Sequence, residues 1–238
     1  MKNISKIKGM VAVAATLFLS VNALAQKHTE VGLTGGLSAP LGNFAKGEYS
    51  DLKSGFSKTG YNLGIKGSYF FNNRVGVTLL AAHQTFGFKN AEQLAEGYKN
   101  DFDLDEATFT SDGRNQTNSL LAGPEYRLPF LGHFSLNGRI LLGAAAARLA
   151  GNRVALEDVS DIYQETAKKT AFAVQPGLAI QYNLPLGLGI AAGADYFYSK
   201  PNFTVENQNR NNAAGRELTS YNQPFQSINL NLSLSYRF

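Results

Sequence analysis

The chain has 238 residues, of which 44% are hydrophobic and 17% charged, with 24 glycines and no cysteine. That length suits one large domain or one barrel, and the lack of cysteine excludes a disulfide framework, thiol chemistry and a lipidated N-terminal cysteine. The formal charge of +4 overstates the basic character, because three of the lysines lie in a leader.

The leader reads "MKNISKIKGMVAVAATLFLSVNALAQ". Lys2, Lys6 and Lys8 make a positive start, Met10 to Val21 an apolar run, and Ala23-Leu24-Ala25 a small-x-small cleavage site. This is the pattern of a secretory signal peptide, and the run is too short to span a bilayer. The expected division is therefore a signal peptide at 1–25 and one barrel domain at 26–238. Cleavage leaves 19 basic and 18 acidic residues. That balance gives no concentrated basic face, so a nucleic-acid partner is excluded.

After residue 26 no stretch approaches the roughly 20 apolar residues of a membrane helix. Period-2 alternation predicts eight strands instead, at 28–38, 58–71, 74–88, 115–128, 133–148, 168–184, 187–199 and 226–238. The connections after strands two, four and six are tiny: Asn72-Asn73, "PFLG" at 129–132 and "PL" at 185–186. Those after strands one, three, five and seven are long and polar. Short turns at one end and long loops at the other are the layout of an outer-membrane barrel. The loops at 89–114 and 200–225 leave room for two further strands, so ten strands remain open beside eight.

Strands running toward the tight turns finish in similar words: Tyr69-Phe70-Phe71, Tyr126-Arg127-Leu128, Tyr182-Asn183-Leu184 and Tyr236-Arg237-Phe238. The tyrosines recur at intervals of 57, 56 and 54 residues, which gives four hairpins of nearly equal length. A ring of amphipathic side chains at one height predicts an aromatic girdle at the periplasmic interface, made of Tyr69, Tyr126, Tyr182 and Tyr236. Stepping back by two from each tyrosine gives Ile65, Leu63, Ala122, Leu120, Ile180, Leu178, Leu234 and Leu232, none of them charged. The alternate face carries Lys66, Glu125 and, on the next strand, Arg139. Each basic residue would cost about 2–4 kcal/mol facing lipid at the midplane, so the aliphatic series is predicted outward. A lipocalin-type barrel would invert the faces, and alternation alone does not separate the two. The one-sided loops, the tyrosine repeat and the leader favour the membrane. Unpaired strand edges are excluded in lipid, so the barrel must close, last strand against first.

The inward charges are Glu30, Lys66, Glu125, Arg127, Arg139, Asp195 and Arg237. Eight strands enclose little more than their own side chains, so these charges are expected to pair as a lumen network. A narrow solute or ion channel is the alternative. Pro124 and Pro176 fall in mid-strand, where a missing N–H predicts a bulge at each. His83 in "AAHQTFG" is the histidine nearest the loop end. Small-barrel lipid A hydrolases place a serine near such a histidine, whereas this chain has Thr85 and no assignable acid, so no catalytic residue is expected. Asp101, Asp103, Asp105 and Asp112 match a calcium loop in spacing, but Glu106 stands where the turn glycine belongs. Neither a metal nor a cofactor is expected.

"GPEYRLP", "QPGLAIQYNLPLG" and the terminal "LSLSYRF" resemble the outer-membrane β-barrel domain family common in Bacteroidetes, related in architecture to the OmpA/OmpX small barrels. The resemblance implies an all-β, eight-stranded antiparallel up-and-down transmembrane barrel in a Gram-negative outer membrane. It implies Phe238 as the aromatic signal read by the barrel-assembly machinery during insertion. It also implies a non-enzymatic structural or surface-interaction role, with outer-membrane lipids and an unidentified surface partner as contacts; one branch is associated with type IX secretion and gliding.

Overall fold

The computed structural model describes residues 29–51, 53–156, 162–209 and 217–238. The leader expected at 1–25 and His28 lie outside them. In chain order the strands are β1 Thr29–Pro40, β2 Ser57–Phe70, β3 Val75–Phe88, β4 Ala107–Asp112, β5 Asn115–Phe130, β6 Phe134–Leu149, β7 Gly151–Leu156, β8 Ile162–Gln164, β9 Ala167–Asn183, β10 Leu188–Ser199, β11 Asn202–Asn209, β12 Glu217–Asn222 and β13 Phe225–Arg237. Eight of them close a barrel in the order β1-β13-β10-β9-β6-β5-β3-β2, every pair antiparallel. The last strand meets the first from Glu30↔Arg237 to Pro40↔Ser227, which leaves no edge to satisfy. The extra strands do not widen the barrel. They form a separate sheet of order β12-β11-β8-β7-β4 at the long-loop end.

The faces divide as the alternation requires. Leu33, Leu63, Leu120, Leu178, Leu230 and Leu232 are each more than half exposed, whereas Glu30, Glu125 and Asp195 are buried to 1%. Leu232 lies four residues from Tyr236, near the tight-turn end of β13. At about 3.3 Å per residue and a tilt near 40°, that places it roughly 10 Å in, toward the middle of an apolar band about 25 Å tall. Leu232→Arg is expected to destabilise the barrel by about 2–4 kcal/mol, while Leu232→Phe shifts it by less than about 1 kcal/mol. Urea titration of the protein refolded in liposomes, read by far-UV circular dichroism, measures this; two equal shifts would refute the lipid-facing assignment.

The tight turns have local causes. Asn72 Oδ1 accepts the N–H groups of Arg74 and Val75, both at 2.8 Å. Leu131 and Leu186 turn the chain with φ of 45° and 63°, each followed by a glycine that also has positive φ. Paired positive φ values match the twist of the flanking strands.

The prolines do not make bulges. Pairing between β5 and β6 lapses after Ala122↔Leu142 and resumes at Glu125↔Arg139 in the same register. Between β9 and β10 it lapses between Asp195↔Gly177 and Tyr198↔Val174, again without a shift. Proline removes a donor but inserts no residue, so the ladder skips and the count is kept. Pro124, Ile140, Pro176, Tyr196 and Ile228 consequently line up in one row, along a groove of about 830 Å³ on the outer wall. The register shift lies elsewhere, where β2 fits two residues between Lys58↔Gly87 and Tyr61↔Thr85 against one on β3. A Cβ at Gly60 would stand 1.7 Å from the Thr85 carbonyl oxygen, so this bulge requires glycine.

Candidate functional site

The lumen is layered. Nearest the tight turns, Glu30 of β1 is the hub of a buried cluster. Arg127 Nη2 donates to Glu30 Oε2 at 2.6 Å, Arg237 Nη2 lies 3.5 Å from the same oxygen, and Lys66 Nζ is 3.8 Å from Oε1. Lys66 also reaches Glu125 Oε1 at 3.7 Å, so it bridges the two carboxylates. Glu125 Oε2 takes the hydroxyls of Thr78 and Ser68. The Arg127 guanidinium lies 3.9 Å from the centroid of the inward-facing Phe70 ring and donates through Nε to Asn137, which in turn donates to Gln181 at 2.7 Å. Five charges on four strands thus sit inside a frame of amides and hydroxyls. Such a frame is what buried charges need, because their mutual attraction alone seldom repays desolvation.

Arg139 and Asp195 stand apart from that cluster. Register sets Arg139 opposite Glu125, yet its guanidinium turns the other way and grips Asp195 through three hydrogen bonds of 2.7, 2.7 and 3.0 Å. Arg139 on β6 and Asp195 on β10 both face Gly177 on the strand between them. A Cβ at Gly177 would lie 1.7 Å from Asp195 Oδ1, so the missing side chain is the passage through which the pair crosses β9. Asn231 Nδ2 completes the carboxylate at 2.7 Å.

Toward the long-loop end an apolar set, Leu80, Phe86, Leu121, Leu141, Ala145, Phe197 and Phe225, packs inward among buried amides and hydroxyls such as Asn62, Gln84, Asn115 and Thr117. The one-turn helix Gly42–Ala45 drops Phe44 into this mouth, fully buried, with ring centroids 4.9 Å from Phe86 and 4.6 Å from Phe225. This aromatic stopper escapes a sequence reading that treats the inward series as polar. The signal is there, because Phe86, Phe197 and Phe225 share the parity of Thr78, Asp195 and Asn229. Above it the sheet of β4, β7, β8, β11 and β12 repeats the order of β5, β6, β9, β10 and β13 and so prolongs that side of the wall beyond the mouth, with a helix at Ala91–Asp101 against β4. Tyr49 donates its hydroxyl to Asp101, and burial together with that carboxylate pushes its phenol above the ordinary tyrosine range. Burial also lifts Tyr221 of β12 to about 12, while Gln164 of β8 donates to its oxygen at 3.2 Å.

Tyr69, Tyr126, Tyr182 and Tyr236 all point outward at the tight-turn end, each between 38% and 49% exposed. Phe71, Phe134 and Phe238 pack against three of them at 4.8–5.6 Å. Phe238 donates its N–H to the Thr29 carbonyl at 2.9 Å. His83 lies on the outer face, its Nδ1 2.9 Å from Asn118 Oδ1. Among the described residues no three histidine, aspartate or glutamate side chains converge in a way that would hold a metal, so Asp101, Asp103, Asp105 and Asp112 form no such set.

The sequence profile of the outer membrane protein beta-barrel domain family matches residues 11–238. The chain belongs to this family. No curated protein is similar enough to match it. Among solved structures, a major outer membrane protein from Thermus thermophilus is similar in fold, with a TM-score of 0.54, 14% identity and coverage of 88% of this chain and 99% of that one. The attachment invasion locus protein Ail of Yersinia pestis is 18% identical over 90% of this chain and 100% of that one, with a TM-score of 0.47. OprG from Pseudomonas aeruginosa is 14% identical over 90% and 99%, with a TM-score of 0.45. Membership makes this an integral outer-membrane barrel.

Proposed function

We propose that this outer-membrane barrel is not an enzyme and acts at its exterior surface, through the sheet that prolongs its wall at the long-loop end, rather than by passing solutes through its lumen. The observation that carries this reading is the filled interior. A solute entering from the loops meets Phe44 and its ring partners, then Leu80, Leu121 and Leu141, then the Arg139–Asp195 pair, then the Glu30 cluster. Each layer is buried, and an eight-stranded barrel has no spare width around it. That sheet offers what the lumen does not, paired loop strands with exposed side chains such as Thr108, Thr110 and Ser220. A lipid-modifying role finds little support at His83, since its ring is held by the Asn118 amide, which neither activates a base nor takes a proton.

Planar-bilayer recording is expected to give no steady conductance for the natural protein. Phe44→Ala is expected to remain closed as well, because the layers below it are independent. Steady, large conductance from the natural protein would overturn the reading. Photo-crosslinking from positions 108 and 220 in living cells should then trap a defined species that the same label at Arg74, on the opposite rim, does not.

A further inference from the structure

On the outer wall of β5, β6 and β9 the side chains form rows across the three strands. Leu120, Ala144 and Phe172 make one row, Asn118, Ala146 and Thr170 the next, and Gln116, Arg148 and Lys168 the next. Phe172 is 67% exposed and ends the aliphatic series of β9, which begins ten residues away at the girdle residue Tyr182. Ten residues at about 3.3 Å, tilted near 40°, span roughly 25 Å, the height of a barrel's apolar band. Phe172 therefore marks the border of the hydrocarbon on the loop side. Lys168 stands four residues further, roughly 10 Å along the normal, at the level of the lipid headgroups.

At that level the wall opens into a groove of about 610 Å³ whose basic lining is Arg148, Lys168 and Lys169. The Arg148 guanidinium is anchored by donating to the Asp112 backbone carbonyl at 3.3 Å, a neutral acceptor that leaves its charge uncompensated. Asp112 is the acidic residue on the groove wall, and its carboxylate accepts the Thr166 hydroxyl at 3.4 Å. Lys168 and Lys169 form no ion pair among the described residues, in contrast to the lumen, where every cation named above has a carboxylate. Arg148 and Lys168 share one outward row, while Lys169 takes the alternate face of β9 opposite the inward Ala147. Two cations side by side at headgroup height, with hydroxyl and amide donors from Thr170, Gln116 and Asn118 beside them, match a phosphate group.

We propose that the groove formed around Arg148 and Lys168 binds the phosphate of an anionic lipid in the outer leaflet. The acyl chains would lie down the aliphatic wall below it, over Phe172 and Leu120. The inference rests on the membrane orientation of the barrel and not on what the loop-end sheet binds.

Native mass spectrometry of the full chain released from detergent, with added lipid A and with enzymatically dephosphorylated lipid A, tests it. The natural protein should retain the phosphorylated lipid and not the dephosphorylated one. Arg148→Gln/Lys168→Gln should weaken retention at least tenfold, since each cation near a membrane surface is worth roughly a factor of five, and Lys169→Gln, on the alternate face, should weaken it less than either single change. Arg74→Gln, on the opposite rim, should leave it unchanged, and far-UV circular dichroism confirms that each variant is folded. Equal retention of the two lipids, or full retention by the folded double variant, would overturn the proposal. Complete displacement by millimolar inorganic phosphate would also overturn it, because the groove would then read a free anion and not a lipid.

Discussion

Glu30→Gln is expected to destabilise the barrel by about 3–5 kcal/mol, the range for removing one partner of a buried ion pair. The amide has nearly the shape of the carboxylate, so packing is kept and the charge alone is lost. What remains is worse than a vacancy. Arg127, Lys66 and Arg237 all lean on Glu30, at 2.6, 3.8 and 3.5 Å, and Glu125 is left to balance three cations. The new amide would also turn its N–H₂ group toward a donor. Glu125→Gln is the matched control. Its Oε2 accepts from Thr78 and Ser68, which an amide oxygen can still satisfy, and it reaches Lys66 alone among the cations. It should cost less than half as much. Urea titration in liposomes, read by the gel mobility of folded and unfolded chains, compares the two; an unmoved midpoint for Glu30→Gln would show that the cluster contributes nothing to holding the strands.

Gly177→Val should cost a similar amount by a different route. Its Cβ would lie 1.7 Å from Asp195 Oδ1 and 3.3 Å from the Ala194 carbonyl oxygen. Asp195 is short and is held by Arg139 and Asn231, so it has no free rotamer into which to withdraw without giving up those bonds. The separated ions are left buried on either side of β9, a loss of about 3–5 kcal/mol. A cycle in an Arg139→Leu/Asp195→Ala background identifies the cause. There the passage is empty, and Gly177→Val should cost less than about 1 kcal/mol. The same penalty in both backgrounds would place the cost in the β9 backbone instead of the ion pair.

Much of the barrel is legible in the sequence because lipid and lumen impose opposite chemistry on alternate residues. The tyrosine repeat sets the hairpin lengths, and the expected strand ends fall within two residues of Thr29–Pro40 through Phe225–Arg237. The reading falls short where partners are distant in the chain or where the outcome turns on counting residues. The pairing of β4 with β7 joins segments about 40 residues apart whose alternation is too short to announce itself. Pro124 and Pro176 signal a lost hydrogen bond, but whether the strand skips or bulges depends on the residue count of the neighbouring strand. The partner of Arg139 is hidden for a similar reason. Parity gives its face and register offers Glu125, yet Asp195 is reached only because residue 177 has no side chain.

The row of prolines has a dynamic consequence. Backbone pairing lapses on both flanks of the β6–β9 pair at the same height, and the Arg139 grip on Asp195 ties these two strands to β10 there but does not reach β5. Local opening begins where the fewest backbone bonds must break. Amide protons around Pro124 and Pro176 should therefore exchange with solvent ahead of those in the continuous β1–β13 seam, although both lie at membrane depth. The wall of this barrel is a seam-welded tube with one row of stitches replaced by a single interior rivet.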